Sequence, residues 1–281
     1  MKRLAILSVL FAVPWTSAHA DIKVLGRANC LGLINESVTY DRPQSLSGYS
    51  DTPAIDKETV EVARREDIDL AKATFTPGVH RVPLAESWFV GSRLDVIRQQ
   101  IAEQAEKGFH RAPDEEVPSL SRALASAPLV ATELDRILDK RYASIADVRP
   151  KLRNEPIDIS GTQLEAARFL EAGTAGSWEN GKWTGIARYF DVPGVGLMML
   201  QEIDFAASRA SITLINELVN ADVNGAPAIA KTARTPTGRT LVSVGWMTDR
   251  MSYSLMWEPV RPDRIRENQE ELIQLARGLG R

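Results

Sequence analysis

One stretch near the C-terminus indicates the fold most clearly, VSVGWMTDRMSYSLMW (residues 242–257). Val242, Val244 and Trp246 recur at every second position, as residues on one face of a β-strand do. After a turn at 248–249, apolar and polar residues alternate again to the end of the stretch. The pattern therefore predicts a β-hairpin with one apolar face.

A helix is predicted after this hairpin. Pro259 and Pro262 end the second strand, because proline cannot donate a ladder hydrogen bond. Asn268 and Glu271 are suited to cap the start of a helix. The apolar residues of that helix are expected to cover the sheet, and they are Leu272, Ile273, Leu275, Ala276 and Leu279.

A second hairpin is predicted earlier in the chain. Trp178 and Trp183 flank the dipeptide Asn180-Gly181. Asn-Gly tolerates the positive φ angles that a tight hairpin turn requires. The two tryptophans could then pack against each other across the strands. Residues 208–219 are ambiguous: Ile212, Ile215 and Val219 have the spacing of a helix, whereas the β-branched content favours a strand, and we interpret the segment as a strand.

A half-buried strand is predicted next, with one apolar face and with acidic residues on the other face near its end. The apolar face would comprise Val195, Leu197, Met199, Ile203 and Phe205. Glu202 and Asp204 would then point to the same, outward side of this strand. From these patterns we predict an antiparallel sheet over residues 176–281 with the C-terminal helix packed on one face.

Helical signals dominate the residues before this sheet. Ser92 is suited to the N-cap of a helix, Gly108 to its end, and apolar residues recur between them at spacings of three and four. Thr162 and Glu165 form a capping-box pattern. The predicted helices cover residues 56–72, 93–107, 130–138 and a segment from Thr162 to Gly173.

The predicted fold class is therefore α+β, with a mainly helical N-terminal half followed by an antiparallel sheet with a C-terminal helix packed on one face. The predicted divisions are a signal peptide (1–20), an extended or β-like arm (21–53), a mainly helical region (54–175) and a sheet-plus-helix domain (176–281). Gly173 to Ser177 would form a flexible joint between the last two.

The N-terminus has the three-part pattern of a secretory signal. Met1-Lys2-Arg3 is positively charged, Leu4 to Trp15 is almost entirely apolar, and Ala18-His19-Ala20 matches a peptidase site. The apolar run is too short for a permanent membrane-spanning helix. We therefore expect cleavage after Ala20 and a periplasmic or secreted mature protein without an integral membrane segment.

The charge of the mature chain argues against polyanionic partners. Removing Lys2 and Arg3 from the 34 basic residues leaves 32 against 37 acidic residues, a net charge near −5. Positive and negative residues are mixed, without the basic block that neutralises phosphates. Nucleic acid is therefore not an expected partner, whereas an envelope protein is a possible one.

Metal and cofactor signals are weak. Outside the signal peptide the chain has His80, His110 and Cys30 but no ordinary zinc-ligand spacing, so neither a metal site nor a cofactor is predicted. Several methionines could suggest a soft copper site, although methionines on strands more often fill cores. A nucleophilic site that combines Ser177 with His80 is a minor alternative, and Cys30 could be either buried or reactive.

Two functional hypotheses remain. The absence of a catalytic motif favours a non-enzymatic binding or accessory module, with Trp178, Trp183 and Trp88 as candidate contacts with a partner. The alternative is an extracytoplasmic hydrolase of a cell-wall or polysaccharide substrate. Its candidate catalytic residues are Glu202 and Asp204, because paired carboxylates cleave glycosidic bonds.

Overall fold

A large β-sheet forms the centre of the computed structural model, which describes residues 8–10, 64, 67, 69–72, 76–125 and 141–280. The strands are β1 (Ser8–Leu10), β2 (Gly78–Val82), β3 (His110–Arg111), β4 (Arg141–Tyr142), β5 (Arg168–Glu179), β6 (Lys182–Val192), β7 (Gly196–Asp204), β8 (Ser211–Ile215), β9 (Ala221–Val223), β10 (Ala226–Arg234), β11 (Thr240–Met247) and β12 (Met251–Pro259). The α-helices are α1 (Gly91–Lys107), α2 (Leu120–Ala125), α3 (Ile145–Val148) and α4 (Ile265–Gly278).

Nine strands form the large sheet, in the order β3-β10-β11-β12-β7-β6-β5-β4, with β9 also paired to β10. Every pair in this sheet is antiparallel except β3 with β10. A smaller sheet has the order β1-β8-β2, and both of its pairs are parallel. The large sheet is therefore a mixed one.

Both faces of the large sheet are covered. Helix α4 packs on one face, where the buried residues include Leu200, Val242, Val244, Leu255, Leu272 and Ala276. Strand β8 packs on the other face, where the buried residues include Met199, Ile203, Ile212, Leu214, Leu241 and Met256. In the described part of the chain, each helix is too short or too polar to cross a membrane.

The two hairpins and the C-terminal helix are present. Strands β11 and β12 pair from Val242↔Trp257 to Met247↔Ser252. Helix α4 begins at Ile265, earlier than its predicted caps, and the Asn268 side chain donates a hydrogen bond to the carbonyl of Arg261. The predicted strand over residues 208–219 is confirmed for its central part, β8.

The prediction of a mainly helical N-terminal half is wrong. The described residues are mostly β-sheet, and the helix predicted from Thr162 to Gly173 does not form. Hydrogen bonds of a capping type are present there, from the amide of Gly161 to Glu165 and from the amide of Leu164 to Thr162. They close only a short turn, because the chain continues as β5 and pairs along its length with β6. Helix α1 agrees with the predicted helix 93–107, although its N-cap is Val90, not Ser92.

The boundary predicted between residues 175 and 176 falls inside strand β5, which also includes the predicted joint from Gly173 to Ser177. Strand β7 is buried on both faces rather than half-buried, since it lies in the middle of the covered sheet. Several predictions fall largely or wholly outside the described residues: the signal peptide except β1, the arm, Cys30, and the helices at 56–72 and 130–138.

Candidate functional site

One end of the large sheet brings together most of the predicted site residues. The β5–β6 turn and the β11–β12 turn both lie there, as the pairings Gly185↔Ile203 and Met251↔Asp204 show. The segment 152–158 crosses the same end, where Leu152 bridges to Trp183. We call these two turns and this segment the hairpin end.

Trp178 and Trp183 lie opposite each other on β5 and β6. Their ring centroids are 5.4 Å apart, and the rings meet edge to face at 68°. Trp183 is buried, whereas Trp178 is 45% exposed. Among the described residues, the other exposed large hydrophobic side chains are two valines, Val96 and Val260. Trp178 is therefore an aromatic surface supported by a buried ring.

The backbone around Trp178 is held by local geometry. Asn180 and Gly181 have φ angles of 52° and 81°, as the predicted tight turn requires. The register of β5 shifts between Ala175 and Trp178, and the amide of Ser177 donates to the Thr184 hydroxyl at 2.8 Å. Such an irregularity re-aims the side chains that follow it.

Glu202 forms a buried ion pair beside this hairpin. Its Oε1 accepts a hydrogen bond from Nη2 of Arg188 at 2.6 Å, and both side chains are almost fully buried. Its Oε2 accepts from the backbone amide of Ile157 at 2.6 Å, while Arg188 also donates to the Ile157 carbonyl. Burial raises the pKa of Glu202, and the neighbouring Arg188 charge opposes that rise.

Asp204 is held by four donor groups. Its Oδ2 accepts from the Asn154 amide at 2.7 Å and from Nη2 and Nε of Arg250 at 2.7 and 3.0 Å. Its Oδ1 accepts from the backbone amide of Ala207 at 2.9 Å. Burial acts to raise the pKa of Asp204, but the hydrogen bonds from Arg250 and Asn154 outweigh burial and lower it.

These two carboxylates therefore tie the segment 152–158 to the sheet: Glu202 through Ile157, and Asp204 through Asn154. A small cleft remains between this segment and the sheet, with room for roughly one water molecule. Its lining residues are Leu152, Asn154, Glu155, Pro156, Trp183, Thr184, Gly185, Ile186, Glu202 and Met251.

Trp88, the third candidate contact, is not part of the hairpin end. It is buried and meets Phe89 edge to face, with ring centroids 6.2 Å apart. The two rings pack in a separate cluster with Leu84 and Ile97. Trp88 is thus a core residue of the α1 region.

The other ionisable and sulfur-containing side chains considered in the sequence analysis lie apart from the hairpin end or in the hydrophobic cores. His110 is buried, which lowers its pKa to about 3, and burial lowers the pKa of Lys231 to about 8. The His80 ring contacts the carbonyl of Thr76.

Within the described residues, His, Cys, Asp and Glu side chains do not gather in the groups of three that could hold a metal ion. Of the methionines considered as copper ligands, Met198, Met199, Met247 and Met256 lie in the hydrophobic cores.

Sequence reasoning missed the partners of the two carboxylates. Arg188 lies within the otherwise apolar run GIARYF (185–190), and a charge inside such a run signals a buried ion pair. Arg250 and Asn154 lie in turns, where polar residues are expected and carry no such signal.

Neither a protein-family model, nor a curated protein, nor a solved structure matches this chain. The functional argument therefore depends on the hairpin end itself.

Proposed function

We propose that this protein is an exported binding or accessory module that contacts an envelope protein partner through the hairpin end. One observation carries the proposal: Trp178 is 45% exposed near the end of β5, beside a short turn, and rests against the buried Trp183. A partly exposed tryptophan that is supported from behind offers a large, rigid contact area, and tryptophan is enriched at protein interfaces. Export itself rests on the signal pattern of residues 1–20.

The chemistry around Trp178 fits a protein partner. Tryptophan and arginine are the residue types most often found at the energetic centre of protein interfaces. Two arginines of the hairpin end are partly exposed, Arg153 with 36% and Arg250 with 56% of the side chain accessible. Since Asp204 holds the Arg250 guanidinium in place, little side-chain entropy is lost when a partner binds it.

The proposal is tested by removing the Trp178 ring. Cross-linking in the native envelope and purification of the tagged mature protein identify the partner, whose affinity is then measured with purified components. Trp178→Ala should weaken binding at least about tenfold, because interface tryptophans commonly contribute 2 kcal/mol or more.

Val260→Ala is the matched control, since Val260 is also exposed but follows β12 at the opposite end of the sheet. It should leave the affinity unchanged. Equal affinities for wild-type protein and Trp178→Ala, with both proteins folded, would refute a binding role for the hairpin end.

The hydrolase remains a second candidate because Glu202 lines the cleft and has a raised pKa, as a general acid requires. The hydrogen bonds of Glu202 and Asp204 weigh against it, since both carboxylates are occupied by protein groups. Glu202→Gln and Asp204→Asn would abolish turnover of a cell-wall or polysaccharide substrate if this alternative holds. Unchanged turnover in both variants would exclude the pair.

A further inference from the structure

Two arginines of the hairpin end share one buried carboxylate. Nε of Arg153 and Nη2 of Arg250 lie 3.9 and 2.7 Å from the same oxygen, Oδ2 of Asp204, so the two guanidinium groups are close neighbours. The Asp204 side chain is fully buried, whereas 36% of the Arg153 side chain and 56% of the Arg250 side chain are accessible. A molecule that approaches this point therefore meets two positive charges but not the negative one.

An ion pair at the far end of the β5–β6 hairpin has a different arrangement. Arg168 and Asp191 lie 2.6 Å apart, and 71% and 34% of their side chains are accessible. One cation and one anion are both presented to the solvent there, so the pair has no surplus charge. At Asp204 two cations share one anion, which leaves one unit of positive charge for a second carboxylate.

The two arginines also keep hydrogen-bond donors for such a carboxylate. Within the described part of the chain, the Arg153 side chain donates no hydrogen bond, because its approach to Asp204 is an ion pair at 3.9 Å. Arg250 donates to Asp204 through Nε and Nη2, which leaves its Nη1 group for a ligand. Guanidinium groups bind carboxylates through two parallel N–H donors, so this donor set suits an acidic side chain.

The arginines are continuous with the exposed tryptophan. The amide of Arg153 donates to the carbonyl of Trp183 at 2.8 Å, and the Trp183 ring contacts Trp178. In the sheet, β5 with Trp178 and β12, which follows Arg250, are separated by β6 and β7. Three strand spacings are about 14 Å, a distance that an extended chain covers with about four residues. One short segment can therefore reach both the arginines and Trp178.

We propose that the hairpin end binds an extended acidic segment of the envelope protein partner, whose carboxylate pairs with Arg153 and Arg250 beside Trp178. The inference rests on the proposed function and deepens it by naming the chemistry of the partner. Acidic residues outnumber basic ones in the chain as a whole. An acidic segment is therefore repelled by much of the surface and attracted to this point, which fixes how the two proteins approach each other.

Selection from a library of random peptides tests this composition. The library is selected on the immobilised protein recovered from cells, and the affinity of each selected peptide is measured by fluorescence anisotropy. The selected peptides should be rich in aspartate and glutamate. Raising the NaCl concentration from about 0.05 to about 0.3 M should weaken their binding severalfold, because salt screens partly exposed charges.

Arg153→Gln is the decisive variant, since it removes one of the two charges but no side-chain hydrogen bond of the fold. It should weaken the selected peptides at least about tenfold, as the loss of a close charge pair does. Arg153→Lys should restore only part of the affinity, because lysine lacks the planar fork. Arg168→Gln is the matched control, which removes the same charge at the far end of β5 and should leave the affinity unchanged. Circular dichroism checks that all three variants are folded.

Four results would overturn the proposal. Two are a library that yields no binder and selected peptides without acidic residues. A third is a set of acidic peptides that bind Arg153→Gln as tightly as wild type. The fourth is assignment of the arginine pair to another occupant: binding of inorganic phosphate, of phosphatidylglycerol vesicles or of a second copy of this chain that Arg153→Gln abolishes, while acidic peptides do not compete.

Failure of the proposed function would look different. If Trp178→Ala weakens binding of the envelope partner but Arg153→Gln does not, the proposed function stands and the acidic segment is wrong. If Trp178→Ala leaves partner binding intact, the role of Trp178 is refuted, while acidic peptides that require Arg153 would still support the carboxylate contact. The two variants therefore separate the aromatic contact from the charged one.

Discussion

Two hairpins of the large sheet each have a pair of facing aromatic residues near the turn, but the two pairs lie in different surroundings. Each has a pair of aromatic residues on opposite strands near its turn: Trp178 with Trp183 on β5–β6, and Trp246 with Tyr253 on β11–β12. The first pair meets edge to face, with centroids 5.4 Å apart, and the second is stacked at 5.0 Å and 13°. In the second pair Trp246 is buried, whereas Trp178 of the first is half exposed.

The position of each hairpin in the sheet explains the difference. Strands β11 and β12 lie between β10 and β7, and Trp246 packs in the core under α4. Strand β5 has β4 as its outer neighbour, and their pairing ends at Gly173. Among the described residues, no strand pairs with the outer side of β5 beyond that point. A local sequence thus selects the turn, while the neighbouring strands decide whether an aromatic residue is core or surface.

The largest expected effect contrasts the two tryptophans. Trp246→Ala should lower the free energy of unfolding by about 3–5 kcal/mol, because it empties a large volume in the core. Trp178→Ala should cost about 1 kcal/mol or less, since it removes one edge-to-face contact and little buried area. Urea unfolding followed by circular dichroism measures both. Similar losses in the two variants would mean that Trp178 is a core residue and not a binding surface.

The second prediction concerns the carboxylate beneath the hairpin end. The lowered pKa of Asp204 means that the folded state binds its proton less readily than the unfolded chain does. The stability it contributes is therefore present above the ordinary pKa of 3.8 and is lost as the pH falls further. Asp204→Asn should cost about 1.5–3 kcal/mol at pH 7, the usual contribution of hydrogen bonds to a charged group, and less below pH 3.8.

Asp249→Asn is the matched control, because Asp249 is exposed in the same β11–β12 turn. It should leave the free energy of unfolding within about 0.5 kcal/mol of wild type at both pH values. A cost of Asp204→Asn that stays constant with pH would show that the charge of Asp204 does not stabilise the folded state.

These contrasts also show which features the sequence could reveal. Both hairpins, most of helix α1 and the C-terminal helix follow from alternation, Asn-Gly and glycine signals, which act over a few residues. The helix predicted from Thr162 does not form, because the chain from Arg168 onward pairs as β5 with β6. No local sequence pattern indicates that pairing. The outward orientation predicted for Glu202 and Asp204 is wrong, since both side chains are buried. This error also comes from an element that lies far away in the sequence. Alternation indicates two faces of a strand, but the element that covers the second face is distant in sequence.

The smallest effect tests whether the turn positions Trp178. Gly181 has a φ angle of 81°, and a Cβ atom there would meet no other atom within 4 Å. Gly181→Ala should therefore cost only the backbone strain of the left-handed region, about 1–2 kcal/mol. If the turn holds Trp178 in its binding position, affinity for the partner should also fall severalfold. Gly194, in the β6–β7 turn at the opposite end, has a φ angle of 74° and equally open surroundings. Gly194→Ala should cause the same loss of stability without loss of affinity. Equal affinities in the two variants would show that the β5–β6 turn does not hold Trp178 in its binding position.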